Sequence, residues 1–532
     1  MVVPSSFKLS AWDILLSDYT DNIVVTFLRY GFPLDYQSLV LPPQDSLRNH
    51  AGATKHAQFI NNYLASECSN SRIAGPFDKL PLPNFVVSPL NSVPKTDSTE
   101  RRVLADLSWP IGNSINSGIE SSSYLGETFQ LHYPTLDDIS DLVILKGRGC
   151  LIYKRDLKQA YRQLPTDPAD YNLSGYFWKG QYYFDTVLAM GRRNAAMACQ
   201  RVTQAVGYIH AARGYSVVPY LDDFMGVEGI SSALAGFNAL SDLLLELGLI
   251  ENFKKACYPN SIQLCLGILI NTNEFTLSID SVRLTEILDL IEFWLTLDWA
   301  TKKQLQSLVG KLVFVSKCVR QSRIFLNRIL LLLRQLNENF HRIKLDVAFK
   351  KDLQWWKRFI RQYNGVSLIP HVSISAPDAV FAVDACLTGC GGVFGNQYFH
   401  AQFPKHIIAI SDNNINFLEL LTLTIAVKLW GKSLEGLSIQ VFCDNSSAVT
   451  VLNSGKTRSV LLNDCLRELF FYLAKFQVSV FGVHISGVDN RLPDLLSRWE
   501  VGQNSTKFLS RFGRGGICLS LSEAIFSFEN DL

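Results

Sequence analysis

The fold is decided by the stretch Val217-Val218-Pro219-Tyr220-Leu221-Asp222-Asp223-Phe224. Apolar β-forming residues flank an acidic pair, which is the pattern of two strands joined by a tight turn. Two adjacent carboxylates repel each other unless a cation lies beside them, so the pair favours a hard divalent metal ion. An acidic pair taken alone is more often a solvated turn, and the rest of the sequence has to decide between the two interpretations.

A third carboxylate lies upstream of this pair. Residues 150–161 predict a strand that enters a turn at Asp156. Nucleotidyl transfer uses two metal ions about 3.5–4 Å apart, one at the attacking 3′-hydroxyl and one at the triphosphate. Carboxylates on two neighbouring strands can hold such a pair of ions. Asp156, Asp222 and Asp223 are therefore candidate ligands for two such metal ions.

These residues resemble motifs A and C of reverse transcriptases. Asp156 followed by Tyr161 is similar to motif A, and the run from Tyr220 to Asp223 is similar to motif C. The resemblance implies that Asp156 and Asp222 bind both metal ions and that Asp223 supports them. It also implies that Tyr161 lies under the sugar of the incoming nucleotide and rejects a 2′-hydroxyl by steric conflict.

The segment between the two motifs is similar to motif B of the same family, a glycine turn that enters a helix. It reads Gly191-Arg192-Arg193-Asn194-Ala195-Ala196-Met197-Ala198-Cys199-Gln200. Ala196 stands where proline is usual, and Cys199 stands where an aromatic residue is usual. The resemblance implies that Gly191 and Gln200 contribute to substrate binding.

Two stretches upstream look like the fingers strands of such enzymes, at residues 88–95 and 101–110. The resemblance places Lys95 and Arg102 at the incoming triphosphate, where cations stabilise the charge of the leaving pyrophosphate. Residues 252–255 and 264–268 resemble motifs D and E. The motif D lysine is Lys254 or Lys255, and spacing favours Lys254.

Four further acidic residues follow in a fixed order downstream. Asp384 ends a β-rich run, Glu419 opens an apolar helix, Asp444 ends another strand and Asp494 lies in a late helix. This order is similar to ribonuclease H. The similarity implies that the four share two Mg²⁺ ions, which activate water and stabilise the leaving 3′-oxygen of RNA. The cofactor expected at both sites is Mg²⁺, two ions per site, with Mn²⁺ as a substitute.

Composition limits the remaining classes of protein. The chain has 532 residues, of which 48% are hydrophobic, so it predicts several folded domains. A formal net charge of +2 excludes a generally basic nucleic-acid binder, and any nucleic-acid groove has to come from clustered cations. Eleven cysteines without a Cys-x-x-Cys pair predict reduced thiols. With no signal sequence or membrane span, the prediction is an intracellular protein of the cytoplasm or nucleus.

The predicted fold class is a multidomain α/β and α+β protein, a right-hand polymerase followed by an RNase H-like α/β domain. The predicted divisions are residues 1–80 without assigned chemistry, 81–278 as fingers and palm, 279–370 as a helical thumb and connection, 371–499 as the RNase H-like domain, and 500–532 as a loose tail. In the helical region Arg320, Arg323 and Arg334 are predicted to share one face. After a palm, that face favours contact with template–primer phosphates, and a solvated basic face is the alternative.

Within reverse transcriptases, residues 106–116, 309–328 and 414–420 resemble those of DIRS-like retrotransposons, which integrate with a tyrosine recombinase. A separately encoded tyrosine recombinase is then a candidate partner. The resemblance implies an RNA- and DNA-directed DNA polymerase with ribonuclease H activity that copies retrotransposon RNA into DNA. Its expected partners are an RNA template, a DNA primer and product, the RNA–DNA hybrid and deoxynucleoside triphosphates, and no membrane.

Two alternatives stay open. A catalytically silent binder of RNA–DNA hybrids belongs to a different class, and the clustered acids argue against it because a binder has no reason to keep mutually repelling charges. A Ty3-like or pararetroviral reverse transcriptase keeps the chemistry and changes only the lineage.

Overall fold

The computed structural model describes residues 5–43, 48–94, 100–128, 133–319, 322–361, 364–367, 377–513 and 515–527. Contacts divide the chain into two compact units. Unit 1 comprises residues 1–266 and 270–274, and unit 2 comprises residues 267–269 and 275–532. Lys95 and Arg320, both predicted site residues, lie outside the described residues.

Unit 1 combines helices with short antiparallel sheets. Its α-helices are α1 (Leu9–Leu15), α2 (Ile23–Tyr30), α3 (Ala51–Lys55), α4 (Ala57–Ser69), α5 (Leu136–Lys146), α6 (Ala195–Ala212) and α7 (Ala233–Leu247). Its strands are β1 (Ile73–Phe77), β2 (Leu90–Pro94), β3 (Arg101–Ala105), β4 (Ser123–Tyr124), β5 (Glu127–Thr128), β6 (Leu151–Asp156), β7 (Gly175–Trp178), β8 (Gln181–Asp185), β9 (Val217–Tyr220), β10 (Asp223–Glu228), β11 (Cys257–Asn260) and β12 (Ile262–Cys265). The next strand, β13 (Ile268–Asn271), has residues in both units.

The central sheet of unit 1 has the order β11-β6-β10-β9, and its strands pair antiparallel. β10 is a continuous apolar run, Phe224-Met225-Gly226-Val227, and all four residues are buried. Such a run without alternation is typical of a strand covered on both faces, and β10 contacts both α5 and α7. This sheet carries the acidic hairpin that the sequence predicts.

Residues 1–80 are not a separate region. Trp12 of α1 is fully buried in the core formed by α6 and α7, and its indole Nε1 donates to the Leu247 carbonyl at 2.9 Å. β1 pairs with β8, and α3 packs on β2. The predicted division at residue 80 therefore does not correspond to a boundary of a compact unit, because apolar side chains on both sides of it share one core.

Unit 2 contains the remaining elements. Its α-helices are α8 (Ser281–Thr296), α9 (Lys302–Val315), α10 (Asn327–Arg334), α11 (Val347–Phe359), α12 (Lys405–Ser411), α13 (Ile415–Trp430), α14 (Ser446–Ser454), α15 (Val460–Lys475), α16 (Arg491–Ser497) and α17 (Asn504–Phe512). Its strands are β14 (Thr276–Ser278), β15 (Trp299–Thr301), β16 (Arg342–Lys344), β17 (Val366–Ser367), β18 (Ala379–Ala385), β19 (Gly389–Phe394), β20 (Gln397–Gln402), β21 (Ser438–Cys443), β22 (Ser479–His484) and β23 (Ile517–Cys518).

The main sheet of unit 2 has the order β22-β21-β18-β19-β20-β23. β18, β21 and β22 run parallel to one another, whereas β19 pairs antiparallel with β18 and with β20. α13 is apolar almost all round and contacts β18, β19, α14 and α15, which explains why its sequence lacks a polar face. The parallel strands β18 and β21 carry Asp384 and lead into Asp444.

The arginines that were predicted to share one helical face do not lie in one helix. Arg323 belongs to the 3₁₀-helix Ser322–Leu326, and Arg334 is the last residue of α10. Both side chains are exposed. Because α9 already ends at Val315 and a 3₁₀-helix turns every three residues, the spacing of an α-helix does not connect these positions.

The predicted boundary at residue 370 separates residues that share a core. Arg467 of α15 forms a buried ion pair with Asp352 of α11, and Phe359 of α11 packs edge-on against Phe471 of α15. Trp355 is also fully buried, stacked on Phe325. The helices predicted as thumb and connection thus belong to the same compact unit as the RNase H-like sheet.

The described residues after Trp499 pack into unit 2, which corrects the prediction of a loose tail. β23 pairs in parallel with β20 and adds a sixth strand to the sheet. α17 buries Phe508 completely against Tyr398 and Trp499. The Lys428 ammonium donates to the Ser527 carbonyl at 2.7 Å. The glycine-rich basic sequence of residues 511–516 favoured a loose tail, but apolar residues before and after it pack into unit 2.

The structure also describes the cysteines and the length and polarity of the helices. All eleven cysteines lie among the described residues, and each is a free thiol. In the described part of the chain, no helix is long and apolar enough to cross a membrane.

The docking of α17 can be tested by substitution. Phe508→Ala is expected to lower the free energy of unfolding by about 3–5 kcal/mol, because a fully buried aromatic side chain is lost and a cavity remains. Urea unfolding of the full chain, followed by circular dichroism, measures the change. Leu509→Ala removes the neighbouring side chain, which is 50% exposed, and should cost less than about 0.5 kcal/mol. Equal effects of the two substitutions would contradict the packing of α17.

Candidate active sites

Strand pairing brings three acidic residues of unit 1 to one end of the central sheet. Asp223, the first residue of β10, lies directly opposite Asp156, the last residue of β6. Tyr220 pairs with Asp223, so Leu221 and Asp222 form a two-residue hairpin turn. The Asp222 carbonyl accepts a hydrogen bond from the Leu157 backbone N–H at 2.8 Å, which joins the turn to the end of β6.

The hairpin turn is held by Gln200 from α6. Leu221 has a φ of 51°, a left-handed conformation that residues other than glycine seldom adopt. Its backbone N–H donates to Gln200 Oε1 at 2.7 Å, and Gln200 Nε2 donates to the Pro219 carbonyl at 2.8 Å. Gln200 is fully buried. The residue that the resemblance assigned to substrate binding thus uses its amide to fix the backbone beside Asp222 and Asp223.

The three carboxylates are partly withdrawn from water and repel one another. Burial raises the pKa of Asp222, and the charge of Asp156 adds to the rise. Burial also raises the pKa of Asp223, where the charge of Lys154 lowers it and that of Asp222 raises it. Asp156 is 3% exposed. A cluster of this kind fits divalent metal ions, because hard oxygen ligands and an excess of negative charge are what Mg²⁺ requires.

Lys255, rather than Lys254, is the lysine that the structure brings to the carboxylates. Its ammonium lies 2.9 Å from Asp156 Oδ2, and Asn252 Nδ2 donates to Asp156 Oδ1 at 3.1 Å. Lys254 is exposed and makes no ion pair with a described residue. Both lysines lie in the 3₁₀-helix Phe253–Lys255, whose tight turn points neighbouring side chains in different directions, so spacing from motif E could not choose between them.

The turn that precedes α6 is fixed by a residue that the sequence did not single out as functional. Gly191 has a φ of 101°, which explains the need for glycine there. Asn116 Nδ2 donates to the Gly191 carbonyl at 2.8 Å, and Asn116 Oδ1 accepts from the Arg193 backbone N–H at 2.8 Å. Asn116 is 6% exposed, and a buried amide with two backbone partners is a signal that sequence alone does not carry.

Tyr161 lies beside the hairpin. It is half-buried in the 3₁₀-helix Ala160–Gln163, and burial raises its pKa, with the charges of Cys199 and Asp222 contributing. Tyr133 and Tyr220 add aromatic rings here, in edge contact with a centroid separation of 6.5 Å. Cys199, which replaces the usual aromatic residue, is 1% exposed, so its thiol is buried in the core of unit 1.

Arg102 lies on the predicted fingers hairpin. It is exposed on β3, opposite Val93 of β2. Its neighbour Arg101 is engaged, because its guanidinium donates to the Ser92 carbonyl at 2.7 Å. Arg102 is thus the arginine of the pair that is left accessible to a ligand.

In unit 2 the four acids of the second set converge at the ends of β18 and β21. Asp384 is the penultimate residue of β18, Asp444 follows β21, Glu419 lies in the first turns of α13, and Asp494 lies in α16. Ligand atoms of Glu419, Cys443 and Asp444 lie within 4.8 Å of one another. Residues far apart in sequence meet here because the two parallel strands end at the same edge of the sheet.

Two of the acids at this site, Asp384 and Glu419, are buried and lie close to other carboxylates. Burial raises the pKa of Glu419 to about 9, and the charges of Asp384 and Asp444 contribute. Burial raises the pKa of Asp384 to about 7, with Asp444 and Asp494 adding to the rise and a Ser497 hydrogen bond opposing it. Both side chains are 3% exposed. The donor set again fits divalent metal ions, which would compensate the buried charge.

Three polar residues around this site were not singled out from the sequence. Ser497 Oγ donates to Asp384 Oδ2 at 2.5 Å, and Asn490 Nδ2 donates to the Val383 carbonyl at 2.9 Å. His484 Nε2 lies 3.1 Å from the Asp444 carbonyl. All three residues lie in the same stretch as Asp494, residues 484–498. The frequent polar residues of that stretch are the only feature of the sequence that could have indicated their role.

No family model matches this sequence, and comparison with curated proteins finds no significant match. Among solved structures, the chain is similar to the foamy viral protease-reverse transcriptase dRH in complex with double-stranded DNA, with a TM-score of 0.50 and 15% identity over 91% of this chain and 84% of that one. It is also similar to the foamy viral protease-reverse transcriptase in complex with double-stranded DNA, with a TM-score of 0.50 and 15% identity over 91% of this chain and 98% of that one. This likeness confirms the predicted fold class: the chain has the mixed α/β, multidomain fold of reverse transcriptases.

The pKa of Glu419 predicts how metal-free stability depends on pH. The folded protein keeps a proton that the unfolded chain loses, so the free energy of unfolding should fall as pH rises from 4.5 towards about 9. Glu419→Gln removes this titration and should raise the free energy of unfolding at about pH 8 by about 1 kcal/mol or more. Thermal unfolding in EDTA across this range measures the effect. Glu435→Gln, at an exposed position, is the control, and an unchanged pH profile in Glu419→Gln would refute the assignment.

Proposed function

We propose that the chain is a reverse transcriptase, an RNA- and DNA-directed DNA polymerase that also hydrolyses the RNA strand of an RNA–DNA hybrid. The observation that carries the proposal is the pairing of Asp223 with Asp156 beside the Asp222 turn, at one end of the central sheet. A second set of acids in unit 2, of which Asp384 and Glu419 are buried, is the counterpart for hydrolysis. Both similar solved structures are described as complexes with double-stranded DNA, which supports nucleic acid as the partner.

At the polymerase site, Asp156, Asp222 and Asp223 would hold two Mg²⁺ ions, with Mn²⁺ as a substitute. The bound ions would supply activation of the primer 3′-hydroxyl and stabilisation of the phosphoryl charge. The chain's own residues do the positioning: Gln200 fixes the turn, and Asn116 fixes the approach to α6. These hydrogen bonds restrict the backbone that carries the carboxylates, so the carboxylates cannot easily move apart.

The residues around the carboxylates define the nucleotide site of the proposal. Arg102, with Lys95, would bind the triphosphate of an incoming deoxynucleotide. Tyr161 would pack against the sugar and exclude a 2′-hydroxyl. Lys255 replaces Lys254 as the proposed motif D lysine, because its ammonium already lies 2.9 Å from Asp156. Exposed Arg323 and Arg334 are proposed to contact the nucleic-acid backbone individually rather than as one face.

At the hydrolytic site, Asp384, Glu419, Asp444 and Asp494 would hold two metal ions that activate water and stabilise the leaving 3′-oxygen. Ser497 holds Asp384 in place through its 2.5 Å hydrogen bond. His484 Nε2 lies 3.1 Å from the Asp444 backbone carbonyl and so positions the segment that follows β21. A silent binder of hybrids is disfavoured, because crowded buried acids cost folding stability and bind no anionic backbone.

We further propose that the chain derives from a DIRS-like retrotransposon, on the basis of residues 106–116, 309–328 and 414–420. A Ty3-like or pararetroviral origin is the alternative and implies the same chemistry. Which recombinase or integrase is encoded beside this chain distinguishes the two, and a neighbouring tyrosine recombinase supports the DIRS-like origin.

The polymerase site is tested by Asp222→Asn. This change keeps the shape of the side chain but removes a metal-binding charge, so nucleotide incorporation should fall at least about a hundredfold, or about 3 kcal/mol of transition-state stabilisation. Primer extension on an RNA template with Mg²⁺ and then Mn²⁺ measures it. Asp242→Asn, an exposed aspartate on α7, should extend primers like the parent. Normal extension by Asp222→Asn would overturn the assignment.

The hydrolytic site is tested by Glu419→Gln on a preformed RNA–DNA hybrid. RNA cleavage should fall below about one hundredth of the parent rate, while primer extension should stay within about twofold, because the two sets of carboxylates are separate. Hybrid cleavage by the Asp222→Asn variant should persist for the same reason. If Glu419→Gln cleaves hybrid RNA at the parent rate, unit 2 is a scaffold and this half of the proposal fails.

A further inference from the structure

One thiol lies inside the acidic cluster of unit 2. Cys443 Sγ is 3.7 Å from Glu419 Oε2, and the two residues form with Asp444 a set whose ligand atoms all lie within 4.8 Å of one another. Cys443 is 1% exposed. A site for Mg²⁺ needs oxygen ligands only, so the thiol has no role in the proposed hydrolysis.

The position of the thiol follows from the strand. On β21 the buried residues alternate with less buried ones, so Cys443 shares the buried side of Ile439 and Val441. Its side chain is therefore directed inwards beside the Glu419 carboxyl. Two other cysteines, Cys386 and Cys390, lie in the same domain. The Cys386 thiol donates a hydrogen bond to the Ser497 carbonyl at 3.2 Å. Among the described residues, neither cysteine belongs to a group of side chains close enough together to bind one metal ion.

The sulfur atom among these ligand atoms suits a softer ion than Mg²⁺, and their spacing is compatible with Zn²⁺. Zn²⁺ binds sulfur at about 2.3 Å and carboxylate oxygen at about 2.0–2.2 Å in tetrahedral geometry, which places two such ligands about 3.6 Å apart. The observed separation of Cys443 Sγ and Glu419 Oε2 is 3.7 Å. Thiolate ligands select zinc over magnesium, because zinc is the softer cation.

We propose that Cys443, Glu419 and Asp444 form a zinc site that overlaps the magnesium-binding acids of unit 2. Bound Zn²⁺ would occupy Glu419 and Asp444 and displace the protons of the Cys443 thiol and the Glu419 carboxyl to solvent, so zinc acts as an inhibitor of hybrid hydrolysis. The inhibitory consequence rests on the proposed hydrolytic function, whereas the binding of zinc does not. The polymerase site contains no equivalent thiol cluster among the described residues, so its inhibition by zinc should be unaffected by Cys443.

Cd²⁺ is a spectroscopic probe of the thiol ligand, because sulfur bound to cadmium gives an ultraviolet charge-transfer absorption that oxygen ligands lack. Titration of the metal-free full chain should give an absorption that saturates near one equivalent and is removed by Zn²⁺. The signal should be lost in Cys443→Ser and weakened at least about tenfold in affinity in Glu419→Gln. Cys518→Ser, which removes an exposed thiol of the same unit, should keep it.

Thermal unfolding verifies that each variant is folded, and Cys443→Thr takes the place of Cys443→Ser if the latter unfolds. A cadmium signal that persists undiminished in a folded Cys443 variant overturns the zinc site. Absence of any signal from the parent chain overturns it equally.

A second readout separates this inference from the proposed function. In Mg²⁺-supported hybrid cleavage, the parent should be inhibited by Zn²⁺ at a concentration at least about tenfold lower than Cys443→Ser, and primer extension should show no such difference. Equal zinc sensitivity of cleavage in the two proteins contradicts the inference while leaving the hydrolytic function intact. A parent that never cleaves hybrid but shows the Cys443-dependent cadmium signal refutes the hydrolytic function and supports the zinc site.

Discussion

Repulsion between buried carboxylates is the constraint around which both sites of this protein are built. In unit 1, antiparallel pairing sets Asp223 opposite Asp156, and in unit 2 the ends of two parallel strands bring Asp384 towards Asp444. Burial, with a smaller contribution from neighbouring carboxylates, raises the pKa of Asp222 and of Glu419, so neither arrangement stabilises the metal-free protein with these acids ionised. The backbone of each sheet therefore has to hold its acids together. The packing of the surrounding apolar cores offsets the free energy that this costs.

Hydrogen bonds from neutral polar side chains hold the segments that carry the acids in place. Gln200 fixes a left-handed turn, Asn116 fixes the segment before α6, and Ser497 and Asn490 hold the end of β18. None of these residues adds charge to its site, so each one restricts the carboxylates without weakening their attraction for cations. Buried amides and hydroxyls suit this task because their hydrogen bonds have fixed directions.

The apolar residues between the motifs decide which segments fold together. Trp12 joins the first helix to the core around α6 and α7, and Phe508 joins α17 to the strand that carries Tyr398. The buried pair of Arg467 and Asp352 does the same for α11 and α15. The divisions predicted at residues 80, 370 and 499 were placed between sequence motifs and did not anticipate these contacts. Motifs mark residues with chemical roles, whereas a compact unit is defined by the apolar side chains that are buried together.

The sequence by itself predicted the acidic hairpin and the strands and helices that carry the carboxylates, because β-periodicity and turn residues are local properties of the chain. The fold class was predicted by the resemblance of the motifs to those of reverse transcriptases and ribonuclease H. Only the tertiary structure decided between Lys254 and Lys255, placed Gln200 under the turn, separated Arg323 from Arg334 and put Cys443 beside Glu419. Those outcomes depend on side-chain direction and on contacts between distant segments, which spacing along a sequence does not encode.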